Sequence, residues 1–212
     1  MEELYWSTFY QCPDESIQGP SLFAKNVGSW LVSKYSANDV NILELGCGNC
    51  RDSCYLSELG YKVTAVDTAV QATVEDNLTK TKANVLHFLR QTQDTYNVIY
   101  MRWFLHAVPY EQQKVIIQLA SEILKPNGVI FIENRSLNDS ILLENSVFDP
   151  SDESFSTSHK RWPSDPRKLK EVILNVGLTV ESCVESRGFS PSGTRNYNKD
   201  PLLLRLVARK AS

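Results

Sequence analysis

The chain has 212 residues, 42% hydrophobic and 10% aromatic, enough for one core-bearing domain of ordinary globular make-up. Lys and Arg number 22 against 25 Asp and Glu, a net charge of −3, so no global positive field draws the chain to nucleic acid or to an anionic membrane surface. No run approaches the ~18 apolar residues of a membrane span, and the opening MEELYWSTFY lacks a basic region leading into an apolar stretch; a cytoplasmic protein with neither anchor nor signal peptide is expected.

The segment through Tyr35 holds Tyr5, Trp6, Phe9, Tyr10, Phe23 and Trp30. Aromatics at this density read as a helix packed on the edge of a sheet, or as a lid over a ligand. Short apolar, β-rich runs then follow at 40–45, 61–66, 84–89, 96–101 and 129–133, the pattern of buried parallel strands. Helical patterning lies between them at 52–59, 69–80 and 111–124, the last stopped by Lys125-Pro126-Asn127-Gly128. This alternation predicts a doubly wound α/β fold. From 134 to 163 the chain turns polar and loses its periodicity, and a connection of that length is functional or disordered. Asp165-Pro166 starts a helix that ends at Gly177, a strand follows at 178–185, and the final strand at 202–209, joined to it without a helix, is expected to be antiparallel.

Five cysteines, Cys12, Cys47, Cys50, Cys54 and Cys183, are an odd set that a reducing compartment keeps as thiols. The spacing of Cys47, Cys50 and Cys54 has neither a second pair nor a nearby His to complete four metal ligands, so no metal site is expected.

The strongest signal is the strand-to-helix turn Glu44-Leu45-Gly46-Cys47-Gly48-Asn49-Cys50-Arg51-Asp52. Glycines there let backbone approach a ligand, and the helix that follows presents free N–H groups. Asp67 closes the next strand, where a carboxylate can accept both hydroxyls of an adenosine ribose. A nicotinamide dehydrogenase shares this logic, but its fingerprint needs a small residue where Arg51 stands. A guanidinium at a helix N-terminus suits instead the methionine carboxylate of S-adenosyl-L-methionine.

The residues Glu44 to Gly48 followed by Val66-Asp67 resemble motif I and the acidic second-strand end of class I S-adenosylmethionine-dependent methyltransferases. The resemblance spans nearly the whole chain. It implies a Rossmann-like α/β fold, a mostly parallel seven-stranded sheet with an antiparallel last strand and helices on both faces. It also implies one methyltransferase domain over 1–212, with an aromatic helical cap (1–35), a cofactor-binding core (36–134), an acceptor-side loop (135–165) and a C-terminal helix and strand pair (166–212). The cofactor set is Gly46, Cys47, Gly48, Asn49, Arg51, Asp52, Asp67, Thr68, Met101 and Arg102. Tyr5-Trp6, Phe9-Tyr10, Pro20-Ser21, Phe23-Ala24 and Arg51-Asp52-Ser53, with Asp200-Pro201 and 204–209, are similar to a subgroup that accompanies glycan-assembling enzymes, in places fused to glycosyltransferase domains. One departure is Cys50, where that subgroup carries glycine.

Methyl transfer to a hydroxyl needs alignment and removal of a proton, a task His suits near its ordinary pKa of ~6.5. His87 lies inside an apparent strand and reads as packed or surface-exposed. His106 follows the fourth strand in Arg102-Trp103-Phe104-Leu105-His106, where ligands sit in open α/β sheets. This stretch resembles the segment bearing the catalytic His of plant phenolic O-methyltransferases. The reading is His106 as base, against a structural or positioning His. His159 and Arg161, with Trp162, form either a surface charge cluster or an acceptor clamp in which the indole faces a sugar ring. Glu133, closing the fifth strand, is a candidate for accepting acceptor hydroxyls or backing up the base. The function expected is O-methylation of a sugar hydroxyl, on a glycan-terminal deoxyhexose such as rhamnose. The alternatives are a methyltransferase of small thiols, phenols or amines, and a non-catalytic cofactor-binding scaffold.

Overall fold

The computed structural model describes residues 19–190 and 200–212. The first element is α1 (Leu22–Lys34), capped by the Ser21 hydroxyl, which accepts the Ala24 N–H. Strand β1 (Asn41–Leu45) enters the glycine turn and is followed by α2 (Arg51–Glu58) and β2 (Lys62–Asp67). Next come β3 (Thr73–Glu75), β4 (Leu78–Lys82), α3 (Val85–Gln91), β5 (Tyr96–Arg102), α4 (Tyr110–Ile123) and β6 (Leu124–Arg135). The remaining elements are α5 (Ser140–Glu144), β7 (Val147–Asp149), β8 (Ser154–Ser156), β9 (Lys160–Arg161), α6 (Pro166–Asn175), β10 (Leu178–Ser186) and β11 (Leu203–Lys210).

One eight-stranded sheet has the order β10-β11-β6-β5-β1-β2-β4-β3. Neighbours from β6 across to β4 are parallel, β11 is antiparallel to both β6 and β10, and β3 is antiparallel to β4. The central strands are apolar throughout because both faces are covered, as parallel sheets require. Ile42, Val98, Tyr100, Val129 and Phe131 pack on the side of α1, whereas Leu43, Leu45, Ile99, Met101, Ile130 and Ile132 pack with α4 and α6 residues on the other. The chain runs outward from β1 to β4 and returns on the other side through β5. The crevice at the carboxyl ends of β1, β2 and β5 is thus the switch point where ligands bind in open α/β sheets.

Several predicted elements differ. The helix expected at 69–80 is a hairpin, which adds β3 as an eighth strand to the seven expected. Its register, Glu75 opposite Leu78, leaves Asp76-Asn77 as a two-residue turn between runs rich in Thr and Val. The strand expected at 84–89 is helix α3. Asn84 caps it by accepting the His87 N–H, and Val85 and Leu89, four residues apart, share the buried face while His87 is exposed. The polar stretch 134–163 is ordered: β6 continues to Arg135, α5 follows, and β7, β8 and β9 make a small antiparallel sheet. Asp165 caps α6 as expected, accepting the Arg167 and Lys168 N–H groups.

Helix α1 covers the face of the sheet rather than its edge. Phe23 stacks on Tyr100 with centroids 5.1 Å apart, and Trp30 meets Phe131 edge-on at 5.1 Å. Tyr5, Trp6, Phe9 and Tyr10 lie outside the described residues. Among the described residues no helix is long and apolar enough to cross a membrane.

Candidate active site

The turn after β1 is built on left-handed backbone at Gly46, Gly48 and Cys50, with φ of 76°, 54° and 61°. At Gly46 nothing but glycine fits, because a β-carbon would lie 2.4 Å from the Phe104 ring. Cys50 adopts the glycine-like conformation in spite of its β-carbon, so the turn keeps its shape at a steric cost of about 1–2 kcal/mol. Asp67 locks the turn from the neighbouring strand. Its Oδ2 accepts the Gly48 N–H at 2.9 Å and its Oδ1 the Ala69 N–H at 2.8 Å, which aims the carboxylate and leaves each oxygen a further lone pair for a ligand hydroxyl.

A cavity of about 250 Å³ opens here. Gly46, Asp67 and Thr68 line one part of it, Asn84, Val85 and Leu86 at the start of α3 another, and Trp103, Phe104, Ala107 and Val108 a third. The α3 residues were not anticipated, because an assignment of strand to 84–89 hides a helix start; the Asn84 cap followed by Val85 and Leu89 is the signal for it. Trp103 and Phe104, just before His106 in sequence, line the cavity although His106 does not. Trp103 stands at φ 54°, a conformation bulky residues rarely adopt and one that gathers at functional sites. Its backbone N–H donates to the Glu133 carbonyl at 2.7 Å.

Cys47, Gly48, Asn49, Arg51 and Asp52 follow Gly46 on the turn and the first turn of α2. Arg51 is its first helical residue, and its N–H donates to Asn49 Oδ1 at 3.4 Å. Met101 does not present its side chain to the site: it is fully buried in the core with Leu45 and Ile132, because successive residues of β5 alternate faces. Asp52 is 3% exposed and already engaged. Its Oδ1 accepts the Ser21 N–H at 2.7 Å, and its Oδ2 accepts the Ser21 hydroxyl at 2.7 Å and the Tyr100 hydroxyl at 2.8 Å. It therefore ties the cap of α1 to α2 and β5. Beside it, burial and then the Asp52 charge hold the Glu44 carboxyl well above the usual carboxylate range, and Ser53 donates to it. Asp52→Ala would orphan three donors, and a destabilisation of about 3–5 kcal/mol is expected, the range for removing one partner from a buried charged network. Urea unfolding of the variant checks this, and a loss below 1 kcal/mol would remove Asp52 from that role.

Glu133 is wholly buried between two guanidinium groups. Arg102 Nε donates to its Oε1 at 3.0 Å and Arg205 Nε to its Oε2 at 2.7 Å. Burial raises its pKa while Arg102 and Arg205 pull the other way. Wholly buried and paired with two guanidinium groups, Glu133 orients Arg102 and Arg205, a role other than the acceptor of hydroxyls or reserve base expected for it. Arg102 also lies 3.9 Å from Asp52 and 5.5 Å from the Trp103 ring, which joins the turn of α2 to the end of β5.

His106 sits in the helical turn Leu105–Ala107 at 1% exposure. Three bonds fasten the polar segment over that turn: the Trp162 N–H donates to the His106 carbonyl at 2.7 Å, Gln113 Nε2 to the Trp162 carbonyl at 3.1 Å, and the Tyr110 hydroxyl to the Pro163 carbonyl at 2.8 Å. This brings His159 and Arg161 to His106. Burial first, then Arg161, Arg135 and His159, push the His106 pKa well below 6.5. The His159 pKa falls to about 4 from burial, Arg161 and Arg135. Both rings are thus neutral at physiological pH. The Arg135 N–H lies 3.5 Å from His106 Nδ1, and hydrogen bonding with Asn134 acts on the pKa in the opposite direction to burial and the nearby charges without reversing the shift. None of His106, His159 and Arg161 lines the 250 Å³ cavity, although Ala107 and Val108 do. Trp162 is 3% exposed, with its Nε1 donating to the Asp152 carbonyl at 2.9 Å. It is a buried anchor of the loop and has no face to offer a sugar. Among the described residues, no group of three or more His, Cys, Asp or Glu side chains is disposed to hold a metal.

Comparison with known proteins agrees with this architecture. The chain superposes on the CcbJ methyltransferase from Streptomyces caelestis with a TM-score of 0.67 at 16% identity, covering 97% of this chain and 96% of that one. The 1,6-didemethyltoxoflavin-N1-methyltransferase from Burkholderia thailandensis, solved with S-adenosylhomocysteine and 1,6-didemethyltoxoflavin, gives 0.66 at 14% identity over 91% and 80%. A SAM-dependent methyltransferase from Methanosarcina mazei gives 0.61 at 17% over 85% and 96%. At these identities the likeness is one of fold. No curated protein sequence matches the chain. The sequence pattern described as "Methyltransferase domain" matches residues 21–183, a span from the cap of α1 through the glycine turn, Asp67 and His106 into β10, so the chain belongs to the methyltransferase-domain family.

Proposed function

We propose that this S-adenosylmethionine-dependent methyltransferase acts on a sugar hydroxyl, with His106 as the base and His159 and Arg161 holding the acceptor. The residues present fit the cofactor: Gly46 admits no side chain, Asp67 keeps lone pairs toward the cavity, and Val85 and Leu86 supply an apolar wall. Asp67 would hold the ribose hydroxyls, Val85 and Leu86 the adenine, and Arg51 the methionine carboxylate. Bound there, the sulfonium supplies an activated methyl group for in-line displacement.

The observation that carries the acceptor reading is the gathering of His106, His159, Arg161 and Arg135 at the carboxyl ends of β5 and β6 by the Trp162 to His106 bond. A neutral imidazole of depressed pKa is a weak base, yet it suffices here. A hydroxyl that has begun to bond to the methyl carbon becomes strongly acidic, so its proton can leave late. His159 and Arg161 can donate to neighbouring hydroxyls, and the low exposure of the turn excludes water. The sugar itself rests on the resemblance to the glycan-associated subgroup, and the reading of the chain as one domain, working with or fused to glycosyltransferase domains, belongs to the same proposal. A small thiol, phenol or amine acceptor is the competing reading.

Incubation with the cofactor and a panel of deoxyhexosides, followed by mass spectrometry, tests it: a mass gain of one methylene on a sugar is expected, and transfer only to thiols, phenols or amines overturns it. His159→Ala and Arg161→Ala are each expected to raise the acceptor KM while leaving affinity for S-adenosylhomocysteine nearly intact. Lost cofactor affinity with unchanged acceptor kinetics would move this loop to the other pocket.

A further inference from the structure

The glycine turn carries a feature that methyl transfer does not use. Cys47 and Cys50 stand at the ends of Cys47-Gly48-Asn49-Cys50, directly before α2, and their sulfurs are 3.3 Å apart. The turn itself creates the approach, because the Cys50 N–H donates to the Cys47 carbonyl at 2.9 Å and the left-handed backbone at Cys50 folds its side chain back toward Cys47. Both thiols are buried against the core residues on the α1 side of the sheet, directly after Gly46, which lines the cavity.

We propose that Cys47 and Cys50 are a disulfide-forming pair, oxidised by a low-molecular-weight disulfide, and that closing the bond lowers affinity for the cofactor. The sulfurs must move from 3.3 Å to the bonded distance of about 2 Å. The shift falls on a turn already held by left-handed residues at 46, 48 and 50 and by the Gly48 to Asp67 bond. Displacing Gly48 therefore turns the Asp67 carboxylate as well, so one covalent change reaches both the glycine turn and the ribose acceptor. The contact between the thiols also divides their acidity. Hydrogen bonding with Cys47 lowers the Cys50 pKa, and the same bond, followed by burial, raises that of Cys47. Cys50, which stands at the N-cap of α2, is accordingly the attacking sulfur.

Cys50 sulfur attacks one sulfur of the external disulfide, forming a mixed disulfide and expelling one thiolate. Cys47 loses its proton and attacks the Cys50 sulfur, breaking the mixed bond and expelling the second thiolate. The two cysteines give up two electrons, and the external disulfide becomes two thiols by taking them and the two cysteine protons. Because both sulfurs are buried, reagent enters through local opening of the turn.

The test treats the full chain with glutathione disulfide and follows S-adenosylhomocysteine binding by calorimetry, with peptide mass mapping of the cysteines. A Cys47–Cys50 bridge is expected, with affinity reduced by about tenfold or more, the scale of local backbone strain, and restored by dithiothreitol. Cys50→Gly suits the left-handed backbone, and this variant and Cys47→Ser are each expected to bind equally well before and after treatment, whatever their own starting affinity. Absence of the bridge, a bridge without loss of affinity, or equal loss in both variants overturns the proposal. The readout is cofactor binding alone, so it stands or falls separately from the sugar acceptor.

Discussion

Replacing His106 by alanine is expected to lower turnover by roughly 10²–10⁴, the usual contribution of a positioned general base, while affinity for S-adenosylhomocysteine changes little. The pH profile gives a second readout, and its position follows from the site. A base must be unprotonated to act, so activity is lost as pH falls through its pKa in the folded protein. For His106, burial and the charges of Arg161 and Arg135 hold that pKa well below 6.5. The ascending limb of kcat/KM therefore lies on the acid side of 6.5, and activity is flat across neutrality, where an unperturbed His would have placed the limb itself. His106→Ala should remove the limb. Near-wild-type turnover with the limb intact would assign proton removal to another group or to alignment of the acceptor alone.

Asp67→Ala is expected to weaken S-adenosylhomocysteine binding by about 1.5–3 kcal/mol, the scale of hydrogen bonds to a charged acceptor, which is roughly 10–150-fold in Kd. Two causes act together. The ribose loses its acceptor, and the Gly48 and Ala69 N–H groups lose the oxygens that fix the turn. Asp67→Asn separates them, because its carbonyl oxygen can keep one backbone bond while the negative charge is gone; an intermediate loss is expected. Calorimetry on both variants checks the order. Unchanged affinity in Asp67→Ala would remove this carboxylate from the cofactor site.

The amino-acid sequence by itself determined the parts of this protein that depend on local chemistry. Glycines at 46 and 48 between an apolar strand and a helix, an acid at the end of the next strand, and Asp165-Pro166 before a helical stripe each force one backbone solution, and the structure contains all three. The same locality explains the elements that differ from expectation. Residues 69–80 and 84–89 are short and mixed in pattern, so period alone did not separate helix from strand; pairing of β3 with β4 and the Asn84 cap decided them. Only the tertiary structure could decide what the polar side chains do, because their roles depend on partners far away in sequence. Asp52, placed with the cofactor by its position on the turn, is taken up by Ser21 and Tyr100, and Glu133 is closed between Arg102 and Arg205. Trp162, whose indole was expected to face a sugar ring in the acceptor-clamp reading, is buried, with its backbone bonded to His106 and its indole to Asp152. That same closure carries His159 and Arg161 to His106 across more than fifty residues of chain. A buried polar group must find a partner wherever the fold puts one, and a linear sequence does not show where that is.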